Sequence, residues 1–510
     1  MKYRKYYKFH FLRGGFMRFS TMVCILAAAT MFMVGCGPRK GETPTMTVLL
    51  RMMPAQERFL REEILPEFER ENNCKINIAT FDNEWDIERL LKLESGKKNP
   101  EICVVKTPFE MTRVLASKGL MEDLRKIKDS AIVMQNMAEY HQLASGLGYV
   151  NSVPYYLPRK LETRVLFYRK SMVNDAVSKF ETHKHRINKE LNSLNGFGLP
   201  AGYTLEENPR DWDFYDLYTV GSIWANEEYN GVKMARMAHR GAKYGGTALF
   251  LMDRALQLGA TKDEILDLTS DKCAETFLWE NVLVKKGIYN FSMWQDKWKG
   301  SDIYNGIKDG KVFLAYLQQI DLFNVHGWED DPGMPGYMAD PEDMGFVVVP
   351  KALSFALDKN GHPLYEGSRE ISTGGWWWGI PETSPHKELA YSFIRFMTSK
   401  EIQAKESSKF GMIPVRKDIL MNLPNVFEEG WVGDIFKVSV EQIKINELTT
   451  VPLIRQYSQL AQLYVDAWYT LSVEYDAQEE GAMDLSTMKM RLASDFADRQ
   501  DKLLGKGQVK

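Results

Sequence analysis

Cysteine and histidine are both scarce in this chain of 510 residues, five of the first and eight of the second. Cys74, Cys103 and Cys273 stand far apart, which argues against a disulfide framework or a Cys-x-x-Cys metal site. They read as buried thiols. His183 and His185 are the one close histidine pair beyond the N-terminal segment, with no third ligand in view. No metal and no cofactor is expected. Gly-x-Ser-x-Gly, His-Glu-x-x-His and Gly-x-x-x-x-Gly-Lys-Ser/Thr do not occur, so those nucleophile, zinc-hydrolase and phosphate-loop signatures are excluded. No basic tract stands out, and nucleic acid is not an expected partner. No apolar run reaches the ~20 residues of a comfortable membrane-spanning helix.

What is there begins at the N-terminus. Residues 1–35 carry Lys2, Arg4, Lys5, Lys8, Arg13 and Arg18 and no acid, then the apolar run Met22–Val34, then Gly35-Cys36. This order is that of a secretory signal. Met17 is an alternative start, giving a leader of more usual length. Removing 1–35 leaves 59 basic against 68 acidic residues, a net −9. Residues 36–45 are a polar tether ahead of the first ordered element.

Beyond it, strand and helix patterns alternate. Thr47–Leu50, Lys75–Ala79 and Glu101–Val105 read as strands. Gln56–Asn72, Trp85–Ser95 and Phe109–Ser117 read as helices, the first amphipathic through Phe59, Leu60, Ile64, Leu65 and Phe68. This order predicts an α/β fold with a parallel sheet, whose ligands lie beyond the carboxyl ends of the strands. Asp82 and Trp85 follow the second strand, and Glu57 sits in the first turn of the first helix. Arg51 and Lys106 also end strands, but strands routinely end in solvated charges. Gly374-Gly375 permits close backbone approach before Trp376-Trp377-Trp378. Alternation along a strand prevents all three rings from facing one ligand. Trp376 and Trp377 are the candidates for contact, and Trp378 aligns with Ile380 as core.

Several segments together resemble the family 1 bacterial extracellular solute-binding proteins, the maltose-binding-protein-like sugar-binding lipoproteins of ABC transporters. They are Ile64–Asn73, Pro100–Val105, Leu115–Leu124, Val153–Tyr156 with Arg164–Tyr168, Asp211–Leu217, Gly306–Leu314, Ser372–Ile380, Ala390–Glu401 and Gly411–Asp418. Met33-Val-Gly-Cys36 resembles a lipobox, which implies a lipid on Cys36 and attachment to the outer face of the cell membrane. The resemblance implies a two-lobed, type II periplasmic-binding-protein fold. Lobe one would take 46–155 plus 318–400, and lobe two 156–317 plus 401–510. It implies a monomer, not an enzyme, that holds a mono- or oligosaccharide between the lobes and delivers it to a permease. Tyr156 and Arg164 would lie at the crossing and Gln318 at the return. Arg416 and Tyr457 fall where members of the family point side chains at the ligand. Residues 180–208 and 324–344 depart from the family pattern as insertions that would lie at the mouth of the cleft. A glycan-active enzyme or a solute sensor on the same scaffold are the alternatives, since 68 acidic residues allow many chance carboxylate pairs.

Overall fold

Short apolar segments separated by amphipathic helices form parallel strands, because each helix must bury its apolar stripe on the sheet as the chain returns. In the computed structural model, which describes residues 43–225, 236–420, 430–447, 449–475 and 483–505 and the backbone of 228–229 and 232–233, two such sheets stand out. The first has five strands in the order Lys75–Ala79, Thr45–Leu49, Ile102–Pro108, Gly374–Gly379, Tyr156–Glu162. Its first three strands are parallel, and Gly374–Gly379 runs antiparallel between its neighbours. The second sheet has four strands in the order Arg236–Ala238, Val312–Gln318, Arg164–Arg169, Met344–Val347.

The first long helix is interrupted. Pro54–Phe59 and Leu65–Asn72 flank a π-helical turn at Leu60–Ile64. Pro66 has no N–H to donate and crowds the preceding turn, and the wider turn absorbs this.

Strand pairing divides the chain between the two sheets at other places than the expected lobe bounds. Tyr156–Glu162 pairs with Gly374–Gly379 and so belongs to the first sheet, which puts the crossing at Thr163. Met344–Val347 pairs with Arg164–Arg169 in the second sheet, although 318–400 was expected in lobe one. The helix Lys400–Phe410 lies against the first sheet, where buried Arg159 pairs with Glu406 and Phe59 meets Phe410. The reason is pairing: hydrogen-bonding needs of a strand decide its sheet, and sequence order does not. The C-terminal helices Trp431–Asn446, Tyr457–Trp468 and Leu485–Leu504 pack on the second sheet and its helices.

Buried side chains tie the crossings together. Thr163 N–H donates to Gln319 Oε1 at 2.9 Å, and Asn446 Nδ2 donates to the hydroxyls of Thr163 and Thr373 at 3.2 and 3.3 Å. The segments that look inserted do not reach the space between the sheets. Residues 180–195 extend the helix Lys170–Asn195. Residues 327–343 meet both sides: Arg58 donates to the Gly333 carbonyl at 3.2 Å and Lys409 pairs with Asp331 at 3.3 Å on the first sheet's helices, while Tyr337 packs on Tyr304 and Asp343 pairs with Arg169 on the side of the second sheet.

Candidate functional site

The ends of the strands and the starts of the following helices converge on a cavity of about 210 Å³ between the two sheets. From the first sheet come Arg51, Gln56, Glu84, Lys106, Lys160, Glu162 and Trp376. From the second come Arg164, Arg240, Tyr244, Lys299, Tyr304, Gln318 and Asp321. A smaller extension, about 50 Å³, reaches Glu110, Gly245 and Gly375.

Trp376 is the aromatic wall contributed by the triplet. The pairing with Tyr156–Glu162 shifts register between Trp376 and Trp377. Such an irregularity re-aims a side chain. Gly375 makes it possible, since a Cβ there would lie 2.2 Å from the Lys160 carbonyl. Trp376 Nε1 donates to Glu162 Oε2 at 3.1 Å, and the Lys106 ammonium lies 4.1 Å from the centre of a Trp376 ring.

Glu162 is the hub. It pairs with Lys160 and accepts from Gln318 Nε2 at 3.1 Å. Burial opposes its charge, but Lys160, then Lys106 and Arg240, outweigh burial and hold its carboxyl below the usual value. Gln318 also accepts from Arg240 at 3.3 Å, and Arg240 pairs with Asp321 at 3.0 Å. Arg164 pairs with Asp253 and donates to the Ser372 carbonyl at 2.8 Å. Burial pushes the Glu110 carboxyl up to about 8; its own backbone N–H opposes this, Glu84 and Glu162 add to the rise, and Arg164 opposes it more weakly. Burial, then Arg159 and Lys160, push the Lys106 ammonium well below its ordinary value. Gln56 Nε2 and Glu84 Oε2 are buried without a hydrogen-bond partner among the described residues.

Of the ten candidate ligand contacts, Arg164, Gln318 and Trp376 line the cavity. The others do not. Glu57 turns outward to pair with Arg61 at 2.8 Å, and its neighbour Gln56 takes the inward position. Asp82 offers only its backbone, its carbonyl accepting from Arg51 at 3.0 Å, while Glu84 faces the cavity. Trp85 stands between Glu84 and the helix start at Gly245, beside the cavity rather than in it. Tyr156 is core, its hydroxyl donating to the Thr112 carbonyl at 2.9 Å. Trp377 is core on one face of the sheet, donating to the Ala144 carbonyl at 2.9 Å. Trp378 is core on the other, against Phe393. Arg416 is held by Glu139 at 2.6 Å and by Asp418 at 3.0 Å, away from the cavity. Tyr457 is fully buried and does not line it. Cys36 and the leader lie outside the described residues.

The charged ring was largely missed from sequence. One signal was available: Arg159, Lys160, Glu162 and Arg164 crowd four charges into a segment that forms buried strands. Arg240 and Lys299 carry no such local sign.

The family profile described as bacterial extracellular solute-binding protein matches residues 63–428. Among solved structures, the GacH receptor of Streptomyces glaucescens, determined unliganded and with acarbose, is 15% identical with a TM-score of 0.65, over 92% of this chain and 100% of that one. Maltose-bound MalE3 of T. maritima is 15% identical with a TM-score of 0.63, over 88% and 99%. An ABC transporter solute-binding protein of Agrobacterium radiobacter K84 in complex with ribitol is 16% identical with a TM-score of 0.62, over 88% and 98%. At such identities the likeness speaks for the fold, a two-lobed α/β architecture. No curated protein matches the sequence.

Proposed function

From the premise that this chain belongs to the bacterial extracellular solute-binding proteins, we propose that it is the lipid-anchored capture subunit of an ABC importer and that its ligand is a carbohydrate. The observation that carries this reading is the cavity between the sheets, where Trp376 stands among buried hydrogen-bonding side chains. A sugar has apolar C–H faces and a rim of hydroxyls. An indole ring covers the first, and charged or amide groups bond the second. Gln56 Nε2 and Glu84 Oε2 offer an unused donor and acceptor. The lobes are the sheet-defined ones, 45–162 with 374–420 and 164–372 with 431–504, hinged at Thr163, Thr373 and Asn446. The lipid is on Cys36, and the permease is the partner.

The test is a thermal-shift screen of the soluble domain against sugars and polyols. A ligand at one hundred times its Kd adds ~2.7 kcal/mol of stability. A complete panel without any shift refutes the carbohydrate reading. One feature favours the enzyme alternative: Glu110, held protonated, sits near the ionised Glu162, the division of roles an acid/base pair needs. Recovery of the bound sugar chemically unchanged after long incubation decides for binding.

A further inference from the structure

Six cations face the cavity: Arg51, Lys106, Lys160, Arg164, Arg240 and Lys299. Four are matched one to one by carboxylates. Arg51 pairs with Glu84 at 3.2 Å and Arg240 with Asp321 at 3.0 Å, while Lys160 pairs with Glu162 and Arg164 with Asp253. Lys106 and Lys299 are left. Lys106 is 2% exposed. Its ammonium donates to the Arg51 carbonyl at 2.6 Å and lies over Trp376, and it makes no ion pair among the described residues. Lys299 reaches the Asp82 carbonyl at 3.4 Å. The remaining lining carboxylate, Asp302, accepts from the Lys299 backbone N–H at 2.7 Å at the start of the helix Gly300–Lys308 and offsets part of the charge of Lys299, which leaves Lys106 as the cation without a carboxylate. Glu110 adds no negative charge near neutral pH, because burial keeps it protonated up to about 8.

A buried ammonium without a carboxylate of its own is costly, and Glu162, the negative charge that acts on Lys106 most strongly, is already paired with Lys160. Ring stacking and one carbonyl offset part of that cost, and hydroxyls of a neutral sugar add hydrogen bonds without adding charge. A negative group on the ligand would supply the missing partner. Resting on the carbohydrate reading above, we infer that the ligand is an acidic saccharide, one whose negative group, a carboxylate or a sulfate, is received at Lys106, with Lys299 adding to the attraction from the opposite lobe. An anion placed there favours the charged form of Lys106, which burial and neighbouring cations disfavour in the free protein. Any proton that Lys106 exchanges on binding is therefore taken up, not released.

The experiment is calorimetry on the soluble domain with matched probes: galacturonate and glucuronate, mono- and disaccharide, against galactose and glucose forms and against their sulfated forms. The acidic probe should bind at least tenfold tighter than its neutral match, with affinity falling as salt rises. In titrations in two buffers of different ionisation enthalpy, any proton exchange should be uptake, and release would contradict the role of Lys106. The carboxylate and sulfate arms tell which anion is read. Lys106→Met should abolish both the preference and any uptake, and Lys299→Met, at a half-buried site that does not test the core, should reduce the preference. Neutral sugars binding as tightly as acidic ones overturn the inference and leave the carbohydrate reading standing. Failure of every probe, neutral and acidic, overturns the carbohydrate reading itself.

Discussion

Glu110 gives the most direct physical test of the cavity's electrostatics. It starts the helix Phe109–Ser117, is 6% exposed, and makes no ion pair among the described residues. Its carboxyl is pushed from an ordinary 4.5 up to about 8 by burial, with Glu84 and Glu162 acting the same way and Arg164 against them. In the unfolded chain it loses its proton above about 4.5, whereas in the folded protein it keeps it to about 8. Between those values the native state binds the extra proton. Stability must therefore fall as pH rises through this window, by up to ~1.4 kcal/mol per pH unit. Across the whole window the loss is on the order of 3–5 kcal/mol. Glu110→Gln keeps the shape and a hydrogen-bonding end but cannot ionise. The variant should match the wild type near pH 5 and exceed it by most of that amount at pH 8.5. Urea unfolding of the ligand-free domain at half-unit steps of pH measures the difference. A difference that stays flat from pH 5 to 8.5 would show that Glu110 is solvated or paired, and the reasoning fails.

The tryptophan triplet separates binding from folding. Trp376→Ala should weaken ligand binding at least tenfold, ~1.4 kcal/mol, with a near-native melt. Trp378→Ala, removing a ring with no exposure that packs on Phe393, should cost ~3–5 kcal/mol of stability. Equal melting and binding of both variants and wild type would refute the division of roles. Gly375→Ala should lower Tm and distort the cavity, since its Cβ would strike the Lys160 carbonyl; a melt like wild type sinks that claim. Cys36→Ala should release the protein from membranes or leave an unprocessed precursor, read by fractionation and by the mass of the N-terminus.

The α/β alternation of the first hundred residues beyond the tether was legible because apolar periodicity is local. Lys75–Ala79 and Phe109–Ser117 begin and end where the pattern places them. The Gly-Gly-Trp segment was legible for a similar reason, since glycine at a strand end signals close approach. What sequence order alone could not set was phase and partner. On the first helix one residue decides whether Glu57 or Gln56 faces inward, and polar first turns carry no apolar stripe to settle it. Arg416 was assigned to the ligand from the resemblance, but Glu139, distant in sequence, claims it. Trp377 alternates with Trp376 as any strand residue does, and the packing over its face, where it donates to the Ala144 carbonyl, makes it core. The charged ring is the clearest case. Lys106, the pair Lys160 and Glu162, and Arg240 come from three separate parts of the chain, and Lys106 read alone is a solvated charge at a strand end. Only the packing of the two sheets removes them from water, and that desolvation converts surface charges into a site.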